Sequence, residues 1–272
     1  MLVSRRAFLT LVPPAALQMT RLSAGDATPV AKAAEPAPAP APVSDAFPTQ
    51  DADLVREMVG VSHGNVPRVK ELLAEHRTLA NAAWDWGFGD WETALGAASH
   101  VGNREIAALL LEHGARPSIF SAAMLGQLEV VTAFVAAAPG VQRTLGPHGI
   151  TLLAHARAGG EGAKAVHDYL SGLGDADAGY STAFAEERAP RYTGSYAFGP
   201  GESARIEIAW ERGMLRFARK GGSPRNLVAL GNDEFHPVGA PAVRIRFVAE
   251  GERVTALTVH DPGVVLRALR QS

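Results

Sequence analysis

A helix, a tight corner and a second helix follow one another in residues 92–117, which read ETALGAASHVGNREIAALLLEHGARP. Small residues fill the first predicted helix, over residues 94–99, and Gly102 with Asn103 supplies the corner. The second helix places its apolar side chains on one face; these are Ile106, Leu109, Leu110 and Leu111, and Gly114 and Ala115 end the unit. Because a single helix pair cannot bury its own apolar face, the spacing predicts that similar pairs stack on it.

The same corner recurs along the chain, at Gly64, Gly102, Gly126 and Gly160. The separations of 38, 24 and 34 residues make the repeat irregular, and the long first step predicts a lengthened hairpin over residues 80–90. Each corner is followed by apolar residues at helical spacing, which we expect to face inward. They are Val69, Leu72 and Leu73 in the first unit, Val130, Val131 and Phe134 in the third, and Ala165, Val166, Tyr169 and Leu170 in the fourth.

These units resemble the ankyrin repeat, whose consensus opens with TPLHxA and closes with LLxxGA. Residues 149–156 (GITLLAHA) follow the opening, except that Leu152 replaces the proline and His155 stands one residue late. The resemblance implies an all-α stack of about four degenerate repeats over residues 51–177. It also implies a scaffold that holds a protein partner.

Beyond residue 177 the apolar spacing changes from helical to alternating, most clearly at Ile206, Ile208 and Trp210. Such alternation is typical of strands with one buried face. Further alternating runs occupy residues 214–220, 226–230, 234–238, 243–250 and 253–260. Six to eight short strands in residues 191–272, after a linker at residues 178–190, predict a small antiparallel barrel or sandwich. The predicted fold class is therefore α+β multidomain.

Parts of this region, residues 192–196, 233–235 and 243–247, resemble the lipocalin-like tail domain of exported serine beta-lactamase-like hydrolases. In that family the catalytic machinery lies in another domain. The resemblance therefore implies an accessory β module, and it supplies no catalytic residue for this chain.

The N-terminus carries a targeting pattern. Residues 4–9 (SRRAFL) resemble the twin-arginine export signal, and a short apolar run over residues 8–19 follows. This run is too short, and too interrupted by Pro13 and Pro14, to span a bilayer. We predict a signal peptide over residues 1–33, cleaved after the A-x-A pattern at residues 31–33 or earlier near Ala24, and a periplasmic or secreted product.

An Ala/Pro-rich stretch over residues 34–50 follows the predicted signal. Alternating prolines favour extended polyproline II structure, so we interpret it as a semi-rigid spacer rather than a recognition motif. The chain contains no cysteine, which excludes disulfides and thiolate metal sites, and its formal net charge is −2. That charge offers no general basic surface, so nucleic acid is not a predicted partner.

Familiar catalytic signatures are missing from the sequence. It contains no S-x-x-K, G-x-S-x-G or H-E-x-x-H pattern and no phosphate-binding P-loop. We therefore predict no catalytic residue, no cofactor and no metal from motifs. Any active site must be recognised from its geometry.

Residues 84–91 (WDWGFGDW) are the sharpest local anomaly, because they hold three of the four tryptophans. Two interpretations are open for Trp84, Trp86, Phe88 and Trp91: they fill a gap in the stack, or they form an exposed surface that binds a partner. Three histidines, His100, His148 and His155, form the second candidate site. A mixed histidine and carboxylate metal site with Asp85, Asp90 or Glu92 is the less favoured interpretation of them.

Two classes of function remain. The first, which the motifs favour, is an exported non-catalytic ankyrin scaffold that mediates protein–protein interaction with an unidentified partner. The alternative is a small-ligand-binding protein or an unrecognised hydrolase, with a pocket between the helical stack and the β domain lined by Trp84, Trp86, His148 and His155. An open concave face would favour the scaffold, whereas a pocket with convergent histidine and acidic groups would favour the alternative.

Overall fold

The computed structural model describes residues 45–179 and 184–271. The predicted signal peptide and most of the Ala/Pro-rich spacer lie outside the described residues, so the export of the chain stays a prediction. Among the described helices, none is long and apolar enough to cross a bilayer.

Successive helix pairs make up the first part of the fold. Within the described residues there are eight α-helices: α1 (Ala52–Val61), α2 (Val66–Glu75), α3 (Ala94–His100), α4 (Arg104–Glu112), α5 (Ile119–Leu125), α6 (Leu128–Ala137), α7 (Leu152–Ala158) and α8 (Lys164–Leu173). The first helices of successive pairs pack on one another in the order α1, α3, α5, α7. The second helices α2 and α4, and likewise α6 and α8, are in contact. Helix pairs at the predicted corners are thus present, in a stacked order.

Short polar side chains fix where these helices begin. The corner asparagines, Asn65 and Asn103, accept hydrogen bonds from backbone N–H groups in the first turns of α2 and α4. Thr93 and Thr151 do the same for α3 and α7. Because the first N–H groups of a helix have no intrahelical acceptor, each cap contributes about 1 kcal/mol.

Arg104 ties neighbouring helix pairs together. From the start of α4 its guanidinium donates hydrogen bonds to the backbone oxygens of Met124, Leu125 and Gly159, at the ends of α5 and α7. These carbonyls lie where a helix has no acceptor partners of its own and where its dipole favours a cation. One side chain therefore donates hydrogen bonds to the terminal carbonyl oxygens of two helices.

Most of the residues expected to face inward are buried, but three are not. Val131, Val166 and Leu170 are fully buried, and Val69, Leu72, Leu73, Ile106 and Leu110 of the first two units are buried as well. Leu109, Leu111 and Tyr169 are partly buried. Val130 and Phe134, by contrast, are 41% and 45% exposed, and Ala165 is also exposed. For Val130 and Phe134 the inward prediction was wrong because α6 packs against α5 and α8, which cover only one narrow row of its surface.

The lengthened first hairpin forms a small antiparallel ribbon. Strand β1 (Ala83–Asp85) pairs with β2 (Trp91–Thr93), with Trp84 opposite Glu92. Alternation along β2 exposes Trp91 and Thr93 and buries Glu92 between them. The ribbon therefore places a carboxylate inside the protein and a tryptophan outside it.

The second part of the fold is a closed antiparallel barrel. Its strands are β3 (Gly194–Ala197), β4 (Arg205–Glu211), β5 (Met214–Arg219), β6 (Arg225–Gly231), β7 (Glu234–Pro237), β8 (Arg244–Glu250), β9 (Arg253–Asp261) and β10 (Val264–Arg270). Each strand pairs with the next along the chain, and β10 pairs with β3 to close the ring. The predicted α+β class with a barrel is confirmed, and closure removes the free sheet edges of an open sandwich.

The barrel interior is filled by alternate side chains of the strands. Ile206, Ile208, Phe217 and Ile245 are buried, which matches the predicted alternation. At one end Asp233 accepts hydrogen bonds from the Tyr192 hydroxyl (2.5 Å) and from Arg191 (2.9 Å). This polar network ties the segment before β3 to the β6–β7 turn.

Neighbouring helix pairs approach each other closely at two corner glycines, Gly102 and Gly126. Gly102 and Gly126 have φ values of 75° and 79°. A Cβ atom would overlap the carbonyl oxygen of Ala158 at Gly102 and that of Gly162 at Gly126. We expect Gly102→Ala and Gly126→Ala each to lower the free energy of unfolding by more than about 1 kcal/mol, measured by urea denaturation.

Gly64 provides the matched control, since it occupies the same corner of the first unit but has no heavy atom within 4 Å of a built Cβ. Gly64→Ala should leave stability unchanged or slightly raised. Equal effects of the three substitutions would contradict the close approach of neighbouring pairs.

Candidate metal centre

Four side chains that can bind a metal converge where the helices meet the ribbon. They are His63 from the α1–α2 corner, Glu92 from β2, His100 from the end of α3, and His148 from the short 3-10 turn Pro147–Gly149 before α7. Each offers one ligand atom, and these atoms all lie within 4.8 Å of one another. Three imidazoles and a carboxylate therefore face a common point.

Stacking of the helix pairs brings the histidines together. His63 directly precedes the corner glycine of the first unit, and His100 lies two residues before that of the second. Because α1 packs on α3, these corner residues become neighbours, with ring centroids 4.9 Å apart. Glu92 reaches the same place because the alternation of β2 turns its side chain inward, where it is fully buried.

Several separations between the ligand atoms are close to those around a tetrahedral ion, while the whole set lies within 4.8 Å, so a bound ion would draw the side chains closer together. The Nε2 atoms of His63 and His100 are 3.1 Å apart. Glu92 Oε1 lies 2.9 Å from His100 Nε2 and 3.4 Å from His148 Nε2, and Glu92 Oε2 lies 3.6 Å from His63 Nε2. Zinc bonds of about 2.0–2.2 Å at tetrahedral angles separate ligand atoms by roughly 3.3 Å.

Hydrogen bonds behind the ligands orient them toward this point. His63 Nδ1 lies 2.9 Å from the Gly60 carbonyl oxygen, and His148 Nδ1 lies 2.7 Å from Asp90 Oδ2. Since both of these oxygens accept, a neutral His63 or His148 carries its proton on Nδ1 and presents the Nε2 lone pair to the centre. The Trp86 indole donates to Glu92 Oε2 at 2.7 Å and leaves Oε1 for the centre.

The electrostatics of the cluster are those of a buried anion held among imidazoles. Burial alone would raise the pKa of Glu92, but the close imidazoles of His100 and His148 outweigh it and lower the pKa to about 2. Burial likewise opposes the charging of His148, yet Asp90 and Glu92 raise its pKa to about 9. Glu92 Oε1 is buried and receives no well-directed hydrogen bond from the described residues, although His100 Nε2 lies 2.9 Å away. A cation at the common point would satisfy it.

Asp90 joins this centre to the barrel. It is 2% exposed and accepts hydrogen bonds from the backbone N–H of His148 (2.9 Å) and from Arg225 Nη1 (2.5 Å), at the first residue of β6. Burial would raise the pKa of Asp90, but its contacts with His148 and Arg225 lower it. Gly239 leaves room for this carboxylate, because a Cβ there would lie 2.7 Å from Asp90 Cγ. A buried charge pair therefore spans the helical part and the barrel.

A cleft of about 540 Å³ opens beside the centre. His63, Trp86 and His148 line one wall. The other wall comes from the barrel, with residues of the β4–β5 hairpin and the start of β6. Arg212, Arg216 and Arg225 are among them. Two of the four ligand residues thus border a space that a small molecule can enter.

The structure gathers some of the predicted site residues and separates others. Trp86, His100 and His148 belong to the centre or its cleft. His155 lies next to His100, with ring centroids 6.4 Å apart, and burial lowers its pKa to about 4. Its Nδ1 atom contacts the Thr151 carbonyl oxygen, so it is a buried neutral neighbour of the centre rather than one of the four ligands.

The aromatic residues of the ribbon divide in the same way. Trp84 and Trp91 border a shallow apolar pocket of about 370 Å³ between the ribbon and α1. Phe88 packs edge-on against Phe217 of the barrel, with ring centroids 5.5 Å apart. Asp85 accepts a hydrogen bond from the Gly87 N–H within the ribbon tip. The pocket expected from Trp84, Trp86, His148 and His155 therefore includes only Trp86 and His148.

Sequence reasoning missed His63 and Arg225. For His63 a signal was present, since a histidine stands at the corner of each of the first two units. For Arg225 there was none, because its partner Asp90 lies 135 residues earlier in the chain. Only the folded arrangement shows that the two residues meet.

Comparison with protein-family models, with curated proteins and with solved structures finds no match to this chain. The class that the structure defines is an α+β protein that joins stacked helix pairs to a closed eight-stranded barrel. The geometry of the site is therefore the basis for the proposed function.

We expect the buried Asp90–Arg225 pair to stabilise the folded protein. Asp90→Asn leaves buried Arg225 without its anion, and breaking one side of a buried pair costs about 3–5 kcal/mol. The double variant Asp90→Asn with Arg225→Met should recover part of that loss, since no charge is then stranded. Urea denaturation of the single variants and the double variant measures the coupling.

Asp168→Asn is the matched control, because Asp168 forms an exposed pair with Lys164 on the surface of α8. It should change stability little. Additive losses in the double variant would show that Asp90 and Arg225 do not stabilise each other.

Proposed function

We propose that this protein binds one divalent transition metal ion, zinc above all, and uses it on a small molecule that enters the adjoining cleft. His63, His100, His148 and Glu92 are the proposed ligands. The observation that carries the proposal is the convergence of their four ligand atoms within 4.8 Å of one another. This is the small-ligand or hydrolase interpretation of the sequence, now assigned to specific residues.

The donor set favours a transition metal over calcium or magnesium. Calcium and magnesium prefer oxygen ligands, whereas imidazole nitrogens suit zinc, copper, iron and nickel. A mixture of three nitrogens and one carboxylate oxygen matches the zinc preference for tetrahedral nitrogen and oxygen donors. The hydrogen bonds from His63 to the Gly60 carbonyl and from His148 to Asp90 fix the imidazoles as such sites require.

The position of the cleft supports a reactive role in addition to a structural one. His63 and His148 have partly exposed side chains, 34% and 27%, and both border the cleft. Because four protein ligands fill a tetrahedral shell, this role requires a fifth coordination position that faces the cleft. There the metal would polarise a carbonyl or phosphoryl oxygen of a ligand, or lower the pKa of a bound water. In this chain, Trp86 would form the apolar wall and Glu92 would balance part of the metal charge.

Metal binding is the direct test. We expect the purified full chain, stripped with a chelator, to bind about one zinc ion per molecule in equilibrium dialysis. Glu92→Gln and His100→Ala should each weaken zinc binding by at least about tenfold, because the first replaces an anionic oxygen donor by a neutral amide and the second removes an imidazole ligand. Zinc should raise the melting temperature of the wild type more than that of either variant.

His167→Ala is the matched control, since His167 lies on α8 and does not belong to the cluster. It should bind zinc like the wild type. A wild-type protein that binds no zinc, or variants that bind it as tightly as the wild type, would overturn the proposed function.

A second function, an exported ankyrin scaffold for a protein partner, is supported by a different surface. Trp91 is 63% exposed and, with Trp84, Ala52 and Val55, borders the shallow apolar pocket beside the ribbon. A large aromatic side chain in water is typical of partner-binding surfaces. We propose export by the twin-arginine route and a periplasmic location for this role, on the strength of residues 4–9 alone.

A photo-crosslinking residue placed at position 91 tests the scaffold. In cells that export the chain, it should yield one saturable adduct with a protein, and Trp84→Ala should reduce that adduct. The same crosslinker at Asp168, which is exposed on α8 away from the ribbon, should give none. Absence of an adduct from position 91, or equal adducts from both positions, would exclude this surface.

A further inference from the structure

Arg225 presents an unusual combination of burial and incomplete hydrogen bonding. It is only 7% exposed and borders the cleft. Its Nη1 atom donates to Asp90, but Nε and Nη2 are buried and have no hydrogen-bond partner within residues 45–179 and 184–271. Buried charged donors without acceptors are costly, so an acceptor is expected at this edge.

The two unpartnered atoms are the pair that an arginine uses to hold an oxyanion side-on. Arg68 of the same chain shows the arrangement: its Nε and Nη2 donate to the two carboxylate oxygens of Glu57 at 2.7 and 3.1 Å. The Nε and Nη2 atoms of Arg225 form the same fork, but they have no acceptor among the described residues, since Asp90 binds Nη1. Planar groups with two acceptor oxygens, carboxylate and phosphate, fit such a fork.

The charges around the cleft also favour an anion. Asp90 balances Arg225, and Glu211 balances Arg216. Arg212, exposed in the β4–β5 turn, has no acidic partner among the described residues. A zinc ion would bring two further positive charges against the single carboxylate of Glu92, so the cleft would be net positive.

From these contacts we infer that the cleft binds a small molecule through a carboxylate or phosphate group, held by the Nε–Nη2 fork of Arg225. The fork is buried at the wall of the cleft, so anion binding requires the side chains that cover it to move. Arg212 attracts the anion from the cleft mouth. The presentation of the rest of the molecule to the metal rests on the proposed function, whereas anion binding itself does not need the metal.

Calorimetric titration of the metal-free full chain with inorganic phosphate, and separately with acetate, tests the inference. We expect saturable binding of at least one of the two anions, and the preferred anion identifies the group. Arg225→Lys keeps the charge beside Asp90 but loses the fork, so it should weaken that binding by at least about tenfold. Arg68→Lys is the control, because the fork of Arg68 is already occupied by Glu57, and it should leave anion binding unchanged.

A measurement on the wild type covers the case in which Arg225→Lys does not fold. Addition of the bound anion should shift one buried arginine Nε–H signal in the NMR spectrum and leave that of Arg68 in place. The inference is overturned if neither anion binds, if Arg225→Lys binds as tightly as the wild type, or if no buried arginine signal moves. Zinc binding is measured independently by dialysis, so loss of zinc binding with anion binding retained would refute the metal centre alone.

Discussion

Two carboxylates that stand two residues apart, Asp90 and Glu92, are both removed from water, and the rest of the structure depends on how their charges are balanced. A buried carboxylate without a partner costs several kcal/mol, so cations must be brought to it. Arg225 comes from the barrel to Asp90, and histidines come from the helix pairs to Glu92. His148 touches both carboxylates. The requirement for neutralisation thus holds together parts of the chain that are distant in sequence.

The ribbon that carries these carboxylates has two proposed roles, partner binding and metal binding. Both depend on the alternation of side chains along a strand. Successive side chains of β2 point to opposite sides, so Trp91 faces water while Glu92 faces the metal centre. A partner surface and a ligand cleft can therefore share three residues of backbone without sharing a side chain. The two proposals do not exclude each other.

Local patterns predicted most of the fold, because helices and strands follow from the spacing of apolar residues and from caps such as Asn103. The helix pairs and most of the barrel strands lie where that spacing placed them. The prediction failed at Val130 and Phe134, whose burial depends on which neighbouring helix covers α6 and not on the pattern within it.

The candidate site was less predictable than the fold, because it too depends on contacts between distant parts of the chain. His100 and His148 stood out as unusual residues, and Glu92 was one of three acidic residues considered as their partners. Nothing in the sequence distinguished Glu92 from Asp85 and Asp90. The meeting of Asp90 and Arg225 across 135 residues is a property of the tertiary fold alone. Motif searches found no site because the four proposed ligands are spread over residues 63–148 and follow no fixed spacing.

The Asp90–Arg225 contact also has a consequence for the order of assembly. All four proposed metal ligands are synthesised before the barrel, but the cation that balances Asp90 arrives only with β6. Until the barrel forms, Asp90 lacks its arginine, and the hydrogen bond that orients His148 lacks its support. A fully organised metal centre would therefore indicate that the last domain of the chain has folded. Truncation or misfolding of the barrel would disturb the position of His148, which lies more than 70 residues before Arg225 in the sequence.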